Sequence, residues 1–528
     1  MAFNVLISDP LSEEGIQVLN QQDGIHYELA TDLTPEALLK KISKVDALLV
    51  RSQTQVTRKL IEAAENLKII GRAGVGVDNI DLNAATERGI IVVNAPNGNT
   101  NSAAEHTMAM LMALSRKIPQ AYYSLKHQQW DRKKYVGVEL KNKTLGIIGL
   151  GRIGAEVAYR AKGQRMNIMA YDPFLTKEKA DHLGIGYGTV QDVLKEADFI
   201  TLHTPLLKET KHLLNEEAFE QMKPGVQIIN CARGGIIDEA ALYEAIVSGK
   251  VAGAALDVFE EEPFHDNKLL ELSEVFATPH LGASTVEAQE NVAVDVCQDV
   301  IRFLTGGIVQ NPVNLPSVPK EVLNQIEPYF NLAENLGTFL IHLAREVIEE
   351  VNIYYSGELA GVETAPITRN TIKGLLTRHL GEHVNDVNAL YLAEKRGIRI
   401  HENKTSTTKG FTNLLTVEIV TKSEKRRVAG TLLNGLGPRI VMVDDYSVDV
   451  TPKGHILIIH HRDIPGVIGK MGSLLAQYNI NIATMQVDRA DVGGDAVMML
   501  TVDKHLETKE LEALKQLDEI YQATAIDL

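Results

Sequence analysis

Gly149-Leu150-Gly151-Arg152-Ile153-Gly154 stands directly after the apolar, strand-like TLGII and directly before the helical AEVAYRAK. Glycines at that spacing and in that setting constrain the chain to a strand–turn–helix unit of a parallel sheet. They permit the tight turn and let backbone approach a pyrophosphate, which the helix N-terminus then stabilises. Gly-rich turns of this kind also recur without a ligand, so the flanking sequence has to carry the reading. About 20 residues on, the spacing expected for a ribose-binding acid, the next apolar run ends in Tyr171-Asp172-Pro173. A carboxylate there accepts hydrogen bonds from the ribose hydroxyls and repels a 2′-phosphate. No Arg or Lys follows it immediately, so NAD is the expected cofactor rather than NADP.

The rest of the chain repeats the α/β pattern. Residues 4 to 50 alternate short apolar runs (VLIS, ALLVRS) with helical stretches such as Pro35–Ile42, and LKIIGRAG and GIIVVNAP continue the series. A helix apolar over most of its surface is predicted from about Ser102 to Ser115, a composition that implies burial. A second series begins at Thr144 and runs through NIMAYD, ADFITLHTP, VQIINCARG, GAALDVF and VFATPH. After a predicted helix over Ser284–Phe303, three prolines (Pro312, Pro316, Pro319) mark a semi-rigid linker. From Lys320 to about Pro452 helices (VLNQIEPYFNLAENLGTFLIHLA, TIKGLLTRHL) mix with strands (EVNIYYSGE, NLLTVEIVT, PRIVMVDD), without catalytic spacing. The last unit, His455–Leu528, reads βαββαβ, the order of a small ferredoxin-like domain.

Composition excludes several classes. A chain of 528 residues with 45% hydrophobic and 23% charged residues buries real cores and forms three or four domains. No apolar run approaches the ~20 residues of a membrane span, and the N-terminus has neither a basic region nor a signal-cleavage site. Two cysteines, Cys231 and Cys297, build neither a disulfide framework nor a Cys-rich zinc site. A reducing cytoplasm and no metal are therefore expected. The net charge of −16 repels nucleic acid and anionic lipid, so neither is an expected partner. An anionic substrate would need a local basic cluster working against that field.

Ligands of doubly wound sheets bind beyond the carboxyl ends of the strands, so the strand tips are where chemistry is expected. Cys231-Ala232-Arg233-Gly234-Gly235 follows VQIIN. A guanidinium there binds a carboxylate bidentately and polarises a neighbouring carbonyl. In Asp257-Val258-Phe259-Glu260-Glu261-Glu262-Pro263 the spacing alone leaves open which acid points inward. Pro279-His280-Leu281-Gly282-Ala283-Ser284 ends the strand VFAT. A carboxylate against one ring nitrogen of His280 would fix its tautomer, an arrangement suited to accepting an alcohol proton during hydride transfer. Arg132-Lys133-Lys134, after Trp130, is a candidate basic cluster that with Arg51 would meet a phosphate; a solvated loop is the plain alternative.

From Val5 to about Pro316 the chain resembles the D-isomer-specific 2-hydroxyacid dehydrogenases. GLGRIG, YDP, NCARGGIIDE, LDVFEEEP and PHLGAST occur in family order, and Arg51-Ser52 and Gly71-Arg72-Ala73-Gly74-Val75-Gly76 match the family's substrate domain. The length and the two C-terminal units narrow the resemblance to the family's long branch, which oxidises 3-phospho-D-glycerate at the first step of L-serine synthesis. That implies a discontinuous substrate domain (1–97 and 287–316) around a Rossmann NAD-binding domain (98–286). An α+β intervening domain (317–452), similar to an allosteric substrate-binding domain, and an ACT domain (455–528) follow. It further implies that Arg233 binds substrate and that Glu262 partners His280. The expected cofactor contacts are Gly149, Gly151, Arg152, Ile153, Gly154, Asp172, Thr204, Cys231, Ala232, Arg233, Asp257, His280, Gly282 and Ala283. Among these, Thr204, Cys231, Asp257 and Gly282 are expected near the nicotinamide. Arg51, Ser52, Gly74, Val75, Asn99 and Arg132 are expected around the substrate, and the 102–115 helix in a dimer or tetramer contact.

His461-Arg462-Asp463-Ile464-Pro465-Gly466 is similar to the D-x-P-G turn of ACT domains, and Asn481 matches the asparagine lining an amino-acid site between paired ACT domains. By that likeness His461, Asp463 and Asn481 are candidates for binding L-serine as a feedback effector; an ACT domain that only assembles the oligomer is the alternative. Two other readings of the whole chain remain: a glyoxylate or hydroxypyruvate reductase, which would lack the C-terminal 200 or so residues, and a nucleotide-sensing corepressor on the same fold.

Overall fold

The computed structural model describes residues 2–316, 318–408 and 410–528. Its first sheet consists of β1 (Phe3–Ile7), β2 (Ile25–Leu29), β3 (Ala47–Val50), β4 (Ile69–Arg72) and β5 (Ile91–Asn94). The order is β2-β1-β3-β4-β5, all parallel. Strands covered on both faces need unbroken apolar runs; all four residues of β3 are buried. One face is covered by a late helix, Val286–Leu304, whose Val292, Val296, Cys297 and Val300 share a core with Val5, Leu49, Ile69 and Val93. The chain leaves this sheet after β5 and returns to it two hundred residues later. Close approach explains a glycine in β4: a Cβ at Gly71 would fall 2.7 Å from both Leu49 Cδ2 and Val296 Cγ1.

The second sheet lies between those passages. It contains β6 (Thr144–Ile148), β7 (Asn167–Tyr171), β8 (Gly186–Tyr187), β9 (Phe199–Leu202), β10 (Val226–Asn230), β11 (Val251–Leu256) and β12 (Val275–Ala277). All are parallel, in the order β12-β11-β10-β9-β6-β7-β8. The winding reverses between β6 and β9, which opens a crevice at the carboxyl ends of those two strands. The apolar helix spans Thr100–Ser115 and buries Ala104, Met108, Leu111 and Leu114 with Leu145, Ile147, Ile229 and Ala255. Ser102 Oγ and Thr285 Oγ1 lie 2.8 Å apart, so the outgoing and returning crossings are tied at one place.

The third sheet has the order β14-β13-β15-β16-β17-β18, from β13 (Glu350–Gly357), β14 (Arg399–Thr405), β15 (Asn413–Val420), β16 (Lys425–Leu433), β17 (Gly437–Val443) and β18 (Tyr446–Val450). The single helix expected over 322–344 is two, Lys320–Ile326 and Phe330–Leu343, joined by a 3-10 turn at Glu327–Tyr329. Pro328 lacks the N–H that an unbroken helix requires there.

β19 (His455–Arg462), β20 (Ile482–Arg489), β21 (Asp495–Val502) and β22 (Ile520–Asp527) form the last sheet, antiparallel in the order β20-β21-β19-β22. This is the expected ferredoxin-like arrangement, with helices Val467–Gln477 and Thr508–Lys515. Residues Ile456, Ile458, Val497, Met499 and Ile526 share one core with Leu336, Phe339 and Leu340 of the preceding unit. The third unit also touches the first: Asn385 Nδ2 donates to the Gly89 carbonyl at 2.8 Å, and Lys395 Nζ meets Glu87 at 2.8 Å. No helix among the described residues is long and apolar enough to cross a membrane.

Candidate active site

The three motif glycines do different work. Gly149 has φ +97, and a Cβ there would meet the His203 carbonyl at 2.5 Å; a Cβ at Gly154 would fall 2.1 Å from the Gly149 carbonyl oxygen. Both glycines let the turn and helix close against the strands. A Cβ at Gly151 would have nothing within 4 Å, so this glycine faces open space. Helix Arg152–Gly163 begins there, without a side-chain cap on its first amides. Asp172 takes one hydrogen bond on each oxygen, from the Leu150 amide (2.9 Å) and the Phe174 amide (2.8 Å). Each oxygen keeps a further acceptor position for a ribose hydroxyl. Across the crevice, Thr204 Oγ1 is buried without a partner. An open glycine, uncapped helix amides, a ribose-ready carboxylate and an orphaned hydroxyl fit a dinucleotide such as NAD.

At the tip of β10, Asn230 shapes the turn that presents Arg233. Its Oδ1 accepts from the Ala232 amide (3.0 Å) and its Nδ2 donates to the Arg233 carbonyl (2.9 Å). Arg233 reaches across to the first sheet, its Nε donating to Asp78 Oδ2 at 2.8 Å. A Cβ at Gly76 would fall 1.9 Å from Arg233 Nη2, so a larger residue there would displace the guanidinium from this position. Cys231 is tucked behind; burial, then the Asp257 charge, pushes its thiol up to about 12.

The first sheet supplies two more cations. Arg72 closes β4 with its Nε buried and unpartnered, and a Cβ at Gly74 would fall 2.0 Å from its Nη1. Burial, then the Arg233 charge, lowers the Arg72 guanidinium to about 10, with Arg51 acting in the same direction. Arg51, Arg72 and Arg233 thus crowd one cleft, an arrangement that calls for an anion. The Arg51 amide donates to Asp9 Oδ2 at 2.6 Å, Ser52 is exposed beside it, and the Val75 carbonyl accepts from Asn94 Nδ2 at 2.5 Å. Asn99, at the start of the 100–115 helix, has its Oδ1 buried and unpartnered. Arg132 lies in an exposed segment, and the basic group that acts with Arg51 is Arg72. Arg72, Asp78 and Asn230 were not singled out from sequence. Arg72 stood inside a glycine motif and Asp78 carried no signal of its own.

Domain geometry also sorts the acids. Asp257 is fully buried and holds the turn after β12: its carboxylate accepts from Thr278 Oγ1 (2.5 Å), the Leu281 amide (2.7 Å) and the Gly282 amide (2.8 Å). His106 Nε2 lies 3.2 Å from the same group. Burial acts to raise the Asp257 carboxyl, but these hydrogen bonds leave it below the ordinary range. Asp257 anchors the turn, its oxygens enclosed by protein donors. Ala283 is half-buried beyond it. His280 sits in the turn at φ +55, half exposed, with Nδ1 2.6 Å from Glu262 Oε2. Glu262 Oε1 accepts from the Phe259 amide at 2.9 Å. Burial acts to raise Glu262, but the His280 and Phe259 hydrogen bonds leave it below the usual carboxylate range. Glu262 is thus the inward acid, whereas Glu260 pairs with His212 at 3.1 Å. With Nδ1 donating to a carboxylate, His280 keeps Nε2 as a proton acceptor.

In the last unit, Asp463 Oδ2 accepts from Arg489 Nη1 (3.0 Å) and the Gly493 amide (3.1 Å). His461 is buried with its Nε2 unpartnered. Asn481 is exposed. β19 and β20 both run antiparallel to β21, so the end of β19 (Asp463) and the start of β20 (Asn481) lie at opposite ends of the sheet. One such unit does not bring both onto a single ligand.

Residues 108–282 match the NAD-binding domain model of the D-isomer specific 2-hydroxyacid dehydrogenases. Residues 325–444 match the D-3-phosphoglycerate dehydrogenase intervening domain, and 455–519 the ACT domain. Among solved structures, a glyoxylate reductase from Paecilomyes thermophila is 30% identical (TM-score 0.55) and covers 59% of this chain and 98% of its own. D-Lactate dehydrogenase from Aquifex aeolicus, complexed with NAD and lactic acid, is 30% identical (TM-score 0.53), covering 60% and 100%. The chain belongs to the D-isomer-specific 2-hydroxyacid dehydrogenases. Within them it falls in the D-3-phosphoglycerate dehydrogenase family: it is 48% identical to the Bacillus subtilis D-3-phosphoglycerate dehydrogenase over 100% of both chains. It is 46% identical to the one from Methanocaldococcus jannaschii over 99% of both.

Proposed function

We propose that the chain oxidises 3-phospho-D-glycerate to 3-phosphohydroxypyruvate with NAD, the reaction that opens L-serine synthesis. The observation that carries the mechanism is the 2.6 Å His280–Glu262 pair, with Nε2 of the imidazole left open. Bound NAD supplies the carbon that accepts hydride from C2 of the substrate. His280 Nε2 takes the hydroxyl proton as that hydride leaves, and Glu262 stabilises the imidazolium that forms. Arg233 binds the substrate carboxylate and polarises the C2 oxygen. Arg51 and Arg72 hold the phosphate end, with Asn99 at the cleft. The local excess of guanidinium groups attracts a multiply charged anion to a protein whose net charge is −16.

The test is NADH formation from 3-phospho-D-glycerate, compared with D-glycerate and glyoxylate reduction. A Michaelis constant that depends on the phosphate supports the reading, and equal use of D-glycerate refutes it. The glyoxylate reductase likeness covers 59% of the chain, and residues 325–444 and 455–519 match family models of their own.

L-Serine is the proposed effector of the ACT unit. Two copies related by a two-fold axis would set the Asp463 end of one sheet beside the Asn481 end of the other, which no single copy does. The exposed Tyr122, Tyr123, Leu125 and Trp130 offer an apolar face for a homo-oligomer. Two free cysteines suit the reducing cytoplasm.

A further inference from the structure

Three side chains distant in sequence meet at the end of the last sheet. His455 opens β19, Asp527 closes β22, and the strand register pairs these two positions directly. His505 arrives from the loop between β21 and helix Thr508–Lys515. Each imidazole places its Nδ1 2.6 Å from a different oxygen of Asp527. All three donor groups lie within 4.8 Å of one another, and the two rings are inclined at 70° with centroids 6.2 Å apart. The side chains are 36%, 59% and 47% exposed for His455, His505 and Asp527, so the cluster opens to solvent. Among the described residues, the two histidines are the only ion-pair partners of Asp527. No lysine or arginine among the described residues neutralises it.

None of the three residues belongs to the dehydrogenase cleft. Two imidazole nitrogens and one carboxylate are, however, the donor set that borderline divalent cations take up, with the remaining positions filled by water. Bonds of about 2.0–2.2 Å to such an ion place tetrahedral donors roughly 3.3 Å apart. The present nitrogen–oxygen separations need to open by less than ~1 Å, within the reach of partly exposed side chains changing rotamer. On binding, each neutral imidazole turns the Nδ1 lone pair to the ion with its ring proton shifted to Nε2, and the carboxylate bonds the ion in place of the two N–H groups.

We propose that His455, His505 and Asp527 form a site for a divalent transition cation of the zinc or nickel class, which ties the chain's final strand to the 503–507 loop. The site lies in the ACT unit, apart from the dehydrogenase cleft, and does not depend on the substrate assigned to that cleft.

The test titrates the full-length, chelator-treated chain with zinc chloride and separately with nickel chloride by calorimetry, alongside thermal melting. The expected result is saturable uptake of one ion per chain and a raised melting temperature. His505→Ala and Asp527→Asn should each weaken binding by about tenfold or more, since even outer-shell changes at metal sites cost that much. NADH formation by metal-free His505→Ala should equal that of the metal-free parent, which confirms that this exposed loop substitution folds. Absence of saturable uptake by the parent chain overturns the proposal. So does uptake undiminished in both variants, which would place the ion at other histidines.

Discussion

Glu262→Gln isolates the charge behind His280 while keeping its shape. In the parent, Oε1 accepts from the Phe259 amide and Oε2 accepts from His280 Nδ1. A glutamine has one oxygen and one NH2 for those two donors. If the oxygen stays on Phe259, the NH2 faces Nδ1, which must become an acceptor; the imidazole proton moves to Nε2 and the proton acceptor is lost. If the oxygen turns to His280, the NH2 opposes the Phe259 N–H and leaves that donor unpaired. The first arrangement resembles the amide substitution of a triad aspartate, which lowers kcat by about 10⁴; a general base alone contributes about 10²–10⁴. We expect kcat to fall at least ~100-fold while NAD affinity changes less than about threefold, because the cofactor glycines and Asp172 are untouched. The fold should lose only about 1 kcal/mol, since the pair is partly exposed and screened. The folded carboxyl of Glu262 lies below its ordinary value, so its stabilisation is present above the unfolded pKa near ~4.3. It disappears as pH falls through the folded value, and the stability difference between parent and variant should shrink in acid. Steady-state NADH formation, NAD titration by fluorescence and urea unfolding at two pH values measure all three. A variant with kcat within tenfold of the parent would refute the role of the pair.

Asp172→Ala should raise the Michaelis constant for NAD about tenfold or more and narrow its preference over NADP, because two loop amides and the ribose lose their acceptor; unchanged constants for both cofactors would place the ribose elsewhere. Arg72→Leu should raise the Michaelis constant for 3-phospho-D-glycerate at least ~10-fold with NAD binding intact, as one of three crowded guanidinium groups is removed; competition with inorganic phosphate reads the same site. Millimolar L-serine should inhibit the intact chain, and Asp463→Ala should abolish that response while uninhibited activity persists; lost basal activity would mean that Asp463 serves its Arg489 and Gly493 contacts only. Glu87 is held at about 2, by its hydrogen bonds from Lys395 and then Arg58. That lowered value stabilises the docking of the third unit on the first above pH ~4.3 and is lost as pH falls toward 2. The protection of residues 385–397 against hydrogen exchange, taken relative to the intrinsic rate at each pH, should therefore fall over that window, and Lys395→Ala should show the lower protection already at neutral pH.

The two doubly wound sheets were legible from sequence because parallel strands buried on both faces must be continuous apolar runs, and because glycine, proline and polar tips end each one. The cofactor turn, Arg233 and His280 were legible as candidates for the same reason, since chemistry in such sheets gathers at strand tips, whereas the spacing left the inward acid open and only the family resemblance pointed to Glu262. Strands Ile25–Leu29, Arg399–Thr405 and Tyr446–Val450 escaped notice: each is an edge strand, where solvent admits charges that break the alternation. Lys425–Leu433 escaped because it opens on Lys425-Arg426-Arg427, although it pairs on both sides. What only the tertiary structure decided concerns distance between remote segments. Arg72 looked like one more residue of a glycine motif until closure of the first sheet against the second set it beside Arg233. Asp257 and Glu262, five residues apart, have different duties because one is enclosed by amides and the other faces an imidazole. Asp463 and Asn481 are candidates for one ligand, yet β19 and β20 run in the same direction on either side of β21 and separate them by the length of the sheet. His455, His505 and Asp527 carry no motif at all. Local sequence encodes period and turn chemistry, whereas the meeting of remote side chains follows from strand order and register, which long-range packing alone selects.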